Sequence, residues 1–328
     1  MILILTEVGS RVGIRNNIIE VKKDDLVTKI PKNIVESVSI FGKIEISSKF
    51  IEHCLMENIP VMFFSYTGKY YGRLSSQSGQ NLDYLNAQIK AINNEEYRRD
   101  FASNILRAKI NNQVVVLRRY NKYKILDSNI NFMKNMEKKI NNKLDINTII
   151  GYEGASAREY FNGISKILPK DFKFKGRNKR PPKDPFNSMI SLGYTILLHE
   201  MIGELEAVGL SAYGGIIHGN SRHYPSLASD LIEEYRPIIV DSLVISLLKN
   251  KKVFIDEFNI TDNGVFLSNE LLKMYLQEVQ KKMMSKHKYL SYLENKVTYR
   301  ESIYHQCKRL RRSIVELDPN IYERIRIR

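Results

Sequence analysis

The stretch His218–Arg236, HGNSRHYPSLASDLIEEYR, places Asp230, Glu233 and Glu234 within about one helical turn of a chain whose net charge is +15. On a helix advancing 100° per residue, these three carboxylates fall within about a 100° arc, while Ala228, Leu231, Ile232 and Tyr235 cover the rest. Like charges so close repel, so a positive partner belongs among them. His218 follows the small residues of AYGGII and precedes GNS, which puts it on a loop or at a helix end, free to point at the acidic face. A second acid, Glu153, is the first charge in GYEGASAREYF and is expected at the start of a helix built from Gly154, Ala155, Ser156 and Ala157. Such small residues permit close approach by another backbone. If that turn packs beside the His218 loop, Glu153, His218 and one or two of Asp230, Glu233 and Glu234 form a carboxylate-rich site with one imidazole. That donor set suits Mn²⁺ or Mg²⁺ better than a structural zinc, which favours thiolates and several imidazoles. The alternative is a solvated acidic face paired with Arg236.

The elements that must position these groups fall into two textures. From Met1 to about Arg73 the chain is strand-like, with β-branched runs broken by Gly9, Gly13 and the Asn16-Asn17 pair as in hairpins, and one short helix in SSKFIEHCLMENI. The expected organisation is α+β: a small N-terminal β-rich domain with one helix at 1–74, a Ser/Gln/Gly-rich linker at 75–83, and a larger all-α domain at 84–328. Helical spacing runs through 128–142, 153–166, 185–207, 226–249, 268–284 and 288–315, with one β interruption at VFIDEFNITDNGVFL, where Asn263-Gly264 is a tight-turn signal. In KRPPKDPFNSMISLGYTILLHEMIGELEAVGL, Asp184 reads as an N-cap and Pro185 as the first helical residue, ahead of a core face of Phe186, Met189, Leu192 and Ile196. HEMIGE inside it is no zinc-protease motif, because Gly203 stands where the second His would be needed. The last three residues of the closing IRIR are expected to fray.

With 51 Lys+Arg against 36 Asp+Glu and a pI near 9.5, the chain points to a polyanionic partner, nucleic acid before membrane. DFKFKGRNKRPPK holds six Lys or Arg, and the segment from Leu271 onward carries a net charge of about +8. Lys173, Lys175, Arg177, Lys179 and Arg180 of that loop, with Arg222, are the candidate DNA contacts, since flexible Gly176 and Asn178 let several cations converge on one phosphate backbone. No apolar run is long enough to cross a bilayer, no signal peptide is visible, and a cytoplasmic location is expected. Cys54 and Cys307 lie far apart in no metal or disulfide pattern and read as ordinary buried thiols.

Taken in order, GYEGASAREYF, GRNKRPPKDPFNSMISLGYTILLHE and HGNSRHYPSLASDLIEEYRPIIVDSLVISLL resemble the CRISPR-associated endonuclease/integrase family, the catalytic subunit of the spacer-acquisition complex. The match is detailed over roughly residues 150–250, and YRESIYHQCKRLRRSIVE resembles the family's basic closing helix. Read onto this chain, the resemblance implies Glu153, His218 and Glu233 as metal ligands and catalytic residues, with Asp230 as a supporting acid. It selects His218 over the nearby His223. His223-Tyr224 stand where the family commonly has Gly-Arg, a departure that alters no ligand.

The activity so implied is metal-dependent transesterification, in which the 3′-hydroxyl of a short DNA duplex attacks a phosphodiester at the edge of a CRISPR repeat. It needs Mn²⁺ or Mg²⁺ and no organic cofactor. The resemblance also implies binding of double-stranded DNA, a homodimer formed through the β domain, and two such dimers bridged by one dimer of a small second adaptation protein. A metal-dependent DNA-repair nuclease acting on branched DNA without integration is the rival enzyme reading. A non-catalytic DNA-binding scaffold is the rival of a different class, and the Glu153, His218 and Glu233 set speaks against it.

Overall fold

The structure, a computed structural model, describes residues 2–76, 81–178, 181–219 and 224–327. The chain divides into two compact units: Met1–Ser78 with Leu267–Lys273, and Gly79–Phe266 with Met274–Arg328. In the first unit the strands are β1 (Ile2–Leu5), β2 (Arg11–Arg15), β3 (Ile18–Lys23), β4 (Leu26–Pro31), β5 (Ser37–Phe41), β6 (Glu45–Ile46), β7 (Val61–Phe64) and β8 (Tyr70–Leu74), with helix α1 (Ser48–Met56) before β7. They form two four-stranded sheets, ordered β1-β5-β7-β8 and β4-β3-β2-β6. Asn16 and Asn17 both take positive φ, 48° and 64°, as the two-residue turn of the β2–β3 hairpin requires. Ser47 caps α1, whose Phe50 and Cys54 join Leu3, Val12, Ile19, Val38 and Val61 in the core of this unit.

The second unit is mainly helical: α2 (Leu82–Asn93), α3 (Glu95–Arg119), α4 (Asp127–Lys139), α5 (Ile146–Ile167), α6 (Pro185–Ala207), α7 (Ser226–Ile232), α8 (Ser242–Lys249), the hairpin β9 (Phe258–Thr261) and β10 (Gly264–Leu267), α9 (Asn269–Met283), the short pair β11 (Lys286–His287) and β12 (Val297–Thr298), and α10 (Tyr299–Glu316), with Leu267 and the start of α9 up to Lys273 counted in the first unit. Helix α3 is its axis. Residues on every side of it, among them Phe101, Ile105, Ile110, Val114 and Val116, are buried, because α4, α5 and the segment after α7 all pack on it.

Four local expectations are corrected. Glu153 does not start a helix, because Asp145 caps Thr148 N–H at 2.9 Å and α5 begins two turns earlier. The helix foreseen over 288–315 is shorter: β11 and β12 precede it, and Thr298 and Glu301 form a reciprocal capping box that fixes its start. The pattern over 226–249 is one buried rod broken by Pro237, which supplies no N–H. The chain widens there to π-type bonding, in which Ser242 N–H donates to Pro237 O. Up to Ile327 the chain is pinned rather than frayed: Ile325 and Ile327 are buried, and Ile327 N–H donates to Asn112 Oδ1 at 3.0 Å, while Arg328 lies outside the described residues.

Candidate active site

Glu153 lies midway along α5, where Gly151 and Gly154 flank it. A Cβ at either glycine would meet no atom within 4 Å: Gly151 is exposed, and Gly154 lines a cavity rather than admitting a second helix. That cavity, of about 740 Å³, is lined by Glu153, His218, Glu233, Lys109, Arg236 and Asp241 among others.

His218 is aimed by Asp230. The Asp230 carboxylate is fully buried in α7; its Oδ2 accepts from Ile216 N–H at 2.9 Å and Ile217 N–H at 2.8 Å, and its Oδ1 lies 2.5 Å from His218 Nδ1. Burial pushes the Asp230 carboxyl up against the opposing pull of His218, and the bond to Asp230 raises the imidazole above its ordinary value. With Nδ1 engaged, Nε2 is the ring atom left to accept or to ligate. The loop folds this tightly because residue 215 is glycine: a Cβ there would sit 2.5 Å from Ser226 Cβ and 2.6 Å from His218 O.

Glu233 and Glu153 converge on one cation. Lys109 Nζ, on α3, lies 2.5 Å from Glu153 Oε1 and 2.5 Å from Glu233 Oε2. Both oxygens are buried, and the Lys109 ammonium is the partner they share. Burial alone would push the Lys109 ammonium down, but the two carboxylates outweigh it and hold it above the usual lysine range. Burial likewise opposes ionisation of Glu233, yet Arg236 and Lys109 hold its carboxyl well below the ordinary value. Arg236 Nη1 pairs with Glu233 Oε1, and its guanidinium lies over the Tyr194 ring, 4.7 Å from the centroid.

The three carboxylates of α7 and the turn after it do not share one cation. Asp230 serves His218 and Glu233 faces Lys109, while Glu234 is buried elsewhere, accepting from Tyr322 Oη at 2.5 Å and Ile325 N–H at 2.9 Å. Among the described residues, no group of three or more His, Cys, Asp and Glu side chains is set closely enough to hold a metal ion. The donors nevertheless fit a hard divalent cation. Two buried carboxylate oxygens already meet at one point of positive charge, and a carboxylate-oriented imidazole lines the same cavity.

In the basic loop, Phe172 and Phe174 turn inward and Lys173 and Lys175 outward. Phe174 stacks on Phe186 at 4.5 Å, and Ser165 Oγ donates to Phe174 O at 2.7 Å. Arg177 is different in kind: it donates to Asn187 Oδ1 at 2.8 Å, to Ser191 Oγ at 3.1 Å and to Asn178 O, so it fastens the loop to α6. Asn187 is itself bonded by the Asp184 cap. Lys179, Arg180 and Arg222 lie outside the described residues, as does His223. Sequence reasoning missed Lys109. Its signal was faint: one lysine between Ala108 and Ile110 inside RAKINNQVVV, a stretch that mixes polar and apolar residues with no clear face.

Comparison with known proteins identifies the family. The family model described as CRISPR associated protein Cas1 matches residues 3–281. A CRISPR-associated endonuclease Cas1 of Thermus thermophilus is 30% identical over 284 residues, 87% of this chain and 84% of its own. One from Mycobacterium tuberculosis is 29% identical, covering 82% of this chain and 80% of its own. Among solved structures, a Cas6-RT-Cas1–Cas2 complex contains a chain that matches with TM-score 0.83 and 26% identity over 98% of this chain, which spans only 36% of that longer one. A casposase bound to integration product shares the fold with TM-score 0.84 at 22% identity, covering 100% of this chain and 96% of its own. The family match spans both the β-rich unit and the cavity that holds Glu153, His218 and Glu233, and the chain therefore belongs to the Cas1 family of CRISPR-associated proteins.

Proposed function

We propose that this chain is a divalent-metal-dependent DNA endonuclease/integrase that inserts short duplexes into a CRISPR array by 3′-hydroxyl transesterification. The observation that carries the reading is the convergence of Glu153 Oε1 and Glu233 Oε2 on one cationic point, with His218 on the wall of the same cavity. Glu153, Glu233 and His218 would hold the Mn²⁺ or Mg²⁺ ion. Bound there, the ion supplies Lewis-acid polarisation of a phosphodiester and of the attacking or leaving oxygen.

Asp230 acts through His218, fixing its ring and tautomer. Arg236 keeps Glu233 ionised and brings a guanidinium to the cavity wall, where a phosphate oxygen is a fitting partner. Lys173 and Lys175 hold the phosphate backbone without regard to sequence, on the loop that Arg177 secures; the same role is proposed for Lys179, Arg180 and Arg222. Assembly as a homodimer through the β-rich unit is part of the reading. So is the bridging of two dimers by one dimer of a small second adaptation protein, in line with the Cas1–Cas2 complex whose chain this one resembles.

A strand-transfer assay tests it. A labelled duplex with free 3′-hydroxyls, a repeat-bearing plasmid, the adaptation partner and Mn²⁺ are expected to give covalently joined product, absent with E233Q, E153Q or chelator. Cutting without joining would support the repair-nuclease alternative. Joining that survives both variants and the chelator would overturn the metal-site reading.

A further inference from the structure

We propose that Lys109 is the resident counter-ion of the cation site: it holds Glu153 and Glu233 on a common point in the metal-free protein, and an incoming divalent ion must displace it. The inference rests on the metal-site reading above, and goes beyond it by naming what occupies the position first.

Three observations carry it. The Lys109 ammonium is 2.5 Å from one oxygen of each acid, so the volume a shared ion needs is the volume the ammonium fills. Those oxygens are buried and share Lys109 as their partner, so without it Glu153 would face Glu233 away from water with only Arg236 to offset the two charges. The displaced group also has somewhere to go. Gln113 stands four residues further along α3, one helical turn from Lys109, and both line the cavity. Its Oε1 is buried with no partner, although the residue is only 2% exposed. A lysine that swings along its own helix toward that acceptor leaves the carboxylates without leaving the cavity.

The exchange has a chemical use. With Lys109 and Arg236 facing Glu153 and Glu233, the site is neutral. Replacing the ammonium with a divalent ion while retaining the lysine on the cavity wall adds two positive charges, which suits a site that must receive phosphodiester. Lys109 is thus a positioning residue: it prearranges the ligands and sets how tightly metal is held.

The test is direct Mn²⁺ binding to the full chain, followed by the paramagnetic resonance of free Mn²⁺, for wild type, K109M, K109Q, Q113L, E233Q and K109M/Q113L. Wild type is expected to show a saturable site that E233Q loses. K109M should bind about tenfold or more tighter, because nothing has to be displaced and one net negative charge awaits the ion. K109Q should shift the same way. Q113L should bind more weakly than wild type, and that effect should vanish in the K109M background. Should the Lys109 variants fail to fold, Q113L tests the exchange with Lys109 in place: Mn²⁺ affinity equal to wild type overturns it. Mn²⁺ binding that is sensitive to E233Q yet unchanged or weaker in K109M also overturns the displacement and leaves the metal site standing. Absence of E233Q-sensitive binding in every protein removes both.

Discussion

His218 Nδ1 lies 2.5 Å from Asp230 Oδ1, and the same buried carboxylate gathers the backbone N–H groups of Ile216, Ile217 and His218. One side chain therefore shapes the loop and aims the imidazole at its end. The two duties separate by substitution. D230N keeps an acceptor for the backbone but weakens the grip on Nδ1, so it should fold while metal affinity and strand transfer fall about 10- to 100-fold. D230A strands three buried donors and should also lower stability by about 3 kcal/mol or more. Urea melts beside Mn²⁺ titrations check both, and equal activity of D230N and wild type would remove Asp230 from the site's machinery.

Glycines of this unit divide into those that space requires and those it does not. Gly215 has backbone and side-chain atoms within 2.6 Å of where a Cβ would stand, and Gly193 would place one 2.4 Å from Tyr275 Oη and 2.5 Å from Val240 Cγ1. G215A and G193A should each destabilise by about 1–3 kcal/mol or more, since rigid neighbours must move. Gly154, facing open space inside α5, should behave oppositely: G154A is expected to gain up to about 1 kcal/mol of helix stability. Thermal melts of the three variants decide it, and a G215A protein as stable as wild type would show that the loop is not held this close.

What the sequence disclosed and what it concealed follow from how local each signal is. The Asn16-Asn17 turn, the Phe50–Cys54 face and the Asp184-Pro185 helix start are written within a few residues, and each stands as read. Glu153 was misplaced along its helix because two glycines read as a start, whereas the Asp145 cap lies upstream, Gly151 is exposed and Gly154 lines the cavity. The acid cluster after Pro225 read as one acidic arc around a shared positive partner, but Asp230, Glu233 and Glu234 are all buried, each with a partner from a different part of the chain. Such partners are set by tertiary packing, which no residue spacing carries. Lys109 was hidden for the same reason: on a helix buried all round there is no polar stripe against which one lysine stands out.

Asp241 offers a stability measurement with a defined sign. It is buried, accepts from Tyr194 Oη at 2.5 Å and Tyr160 Oη at 3.0 Å, and burial pushes its carboxyl from 3.8 up to about 6 against the pull of those hydroxyls. Because the folded value lies above the unfolded one, the folded state binds more protons between those limits, and stability falls as pH rises from about 4 to 6. The cost, on the order of 3 kcal/mol, is absent below pH 4 and complete above pH 6. D241N cannot ionise. The stability difference between wild type and D241N should therefore shift by about that amount in favour of wild type on going from pH 7 to pH 4; a difference independent of pH would mean that Asp241 titrates normally.

The basic loop makes two kinds of cation out of adjacent residues, and DNA binding can tell them apart. Lys173 and Lys175 are exposed between inward-facing Phe172 and Phe174, so nothing in the fold depends on their charge. Removing one cation that neutralises a phosphate reduces the slope of log affinity against log salt by about 0.9 on duplex DNA. K173A/K175A should thus leave the melting temperature unchanged, weaken binding to any duplex sequence alike, and flatten the salt slope by up to about 2. Arg177 is fastened to Asn187 and Ser191 and lies over Tyr194, its guanidinium 5.4 Å from the ring centroid, with burial holding it below the usual arginine range. R177A should lower stability by roughly 1–3 kcal/mol by leaving the buried Asn187 short of a donor. It should alter DNA affinity only as far as the loop loosens, with the salt slope retained. Fluorescence anisotropy across a salt series, run with a melt of each variant, separates these outcomes. A flattened slope in R177A with an unchanged melt would make Arg177 a phosphate contact instead of a clasp.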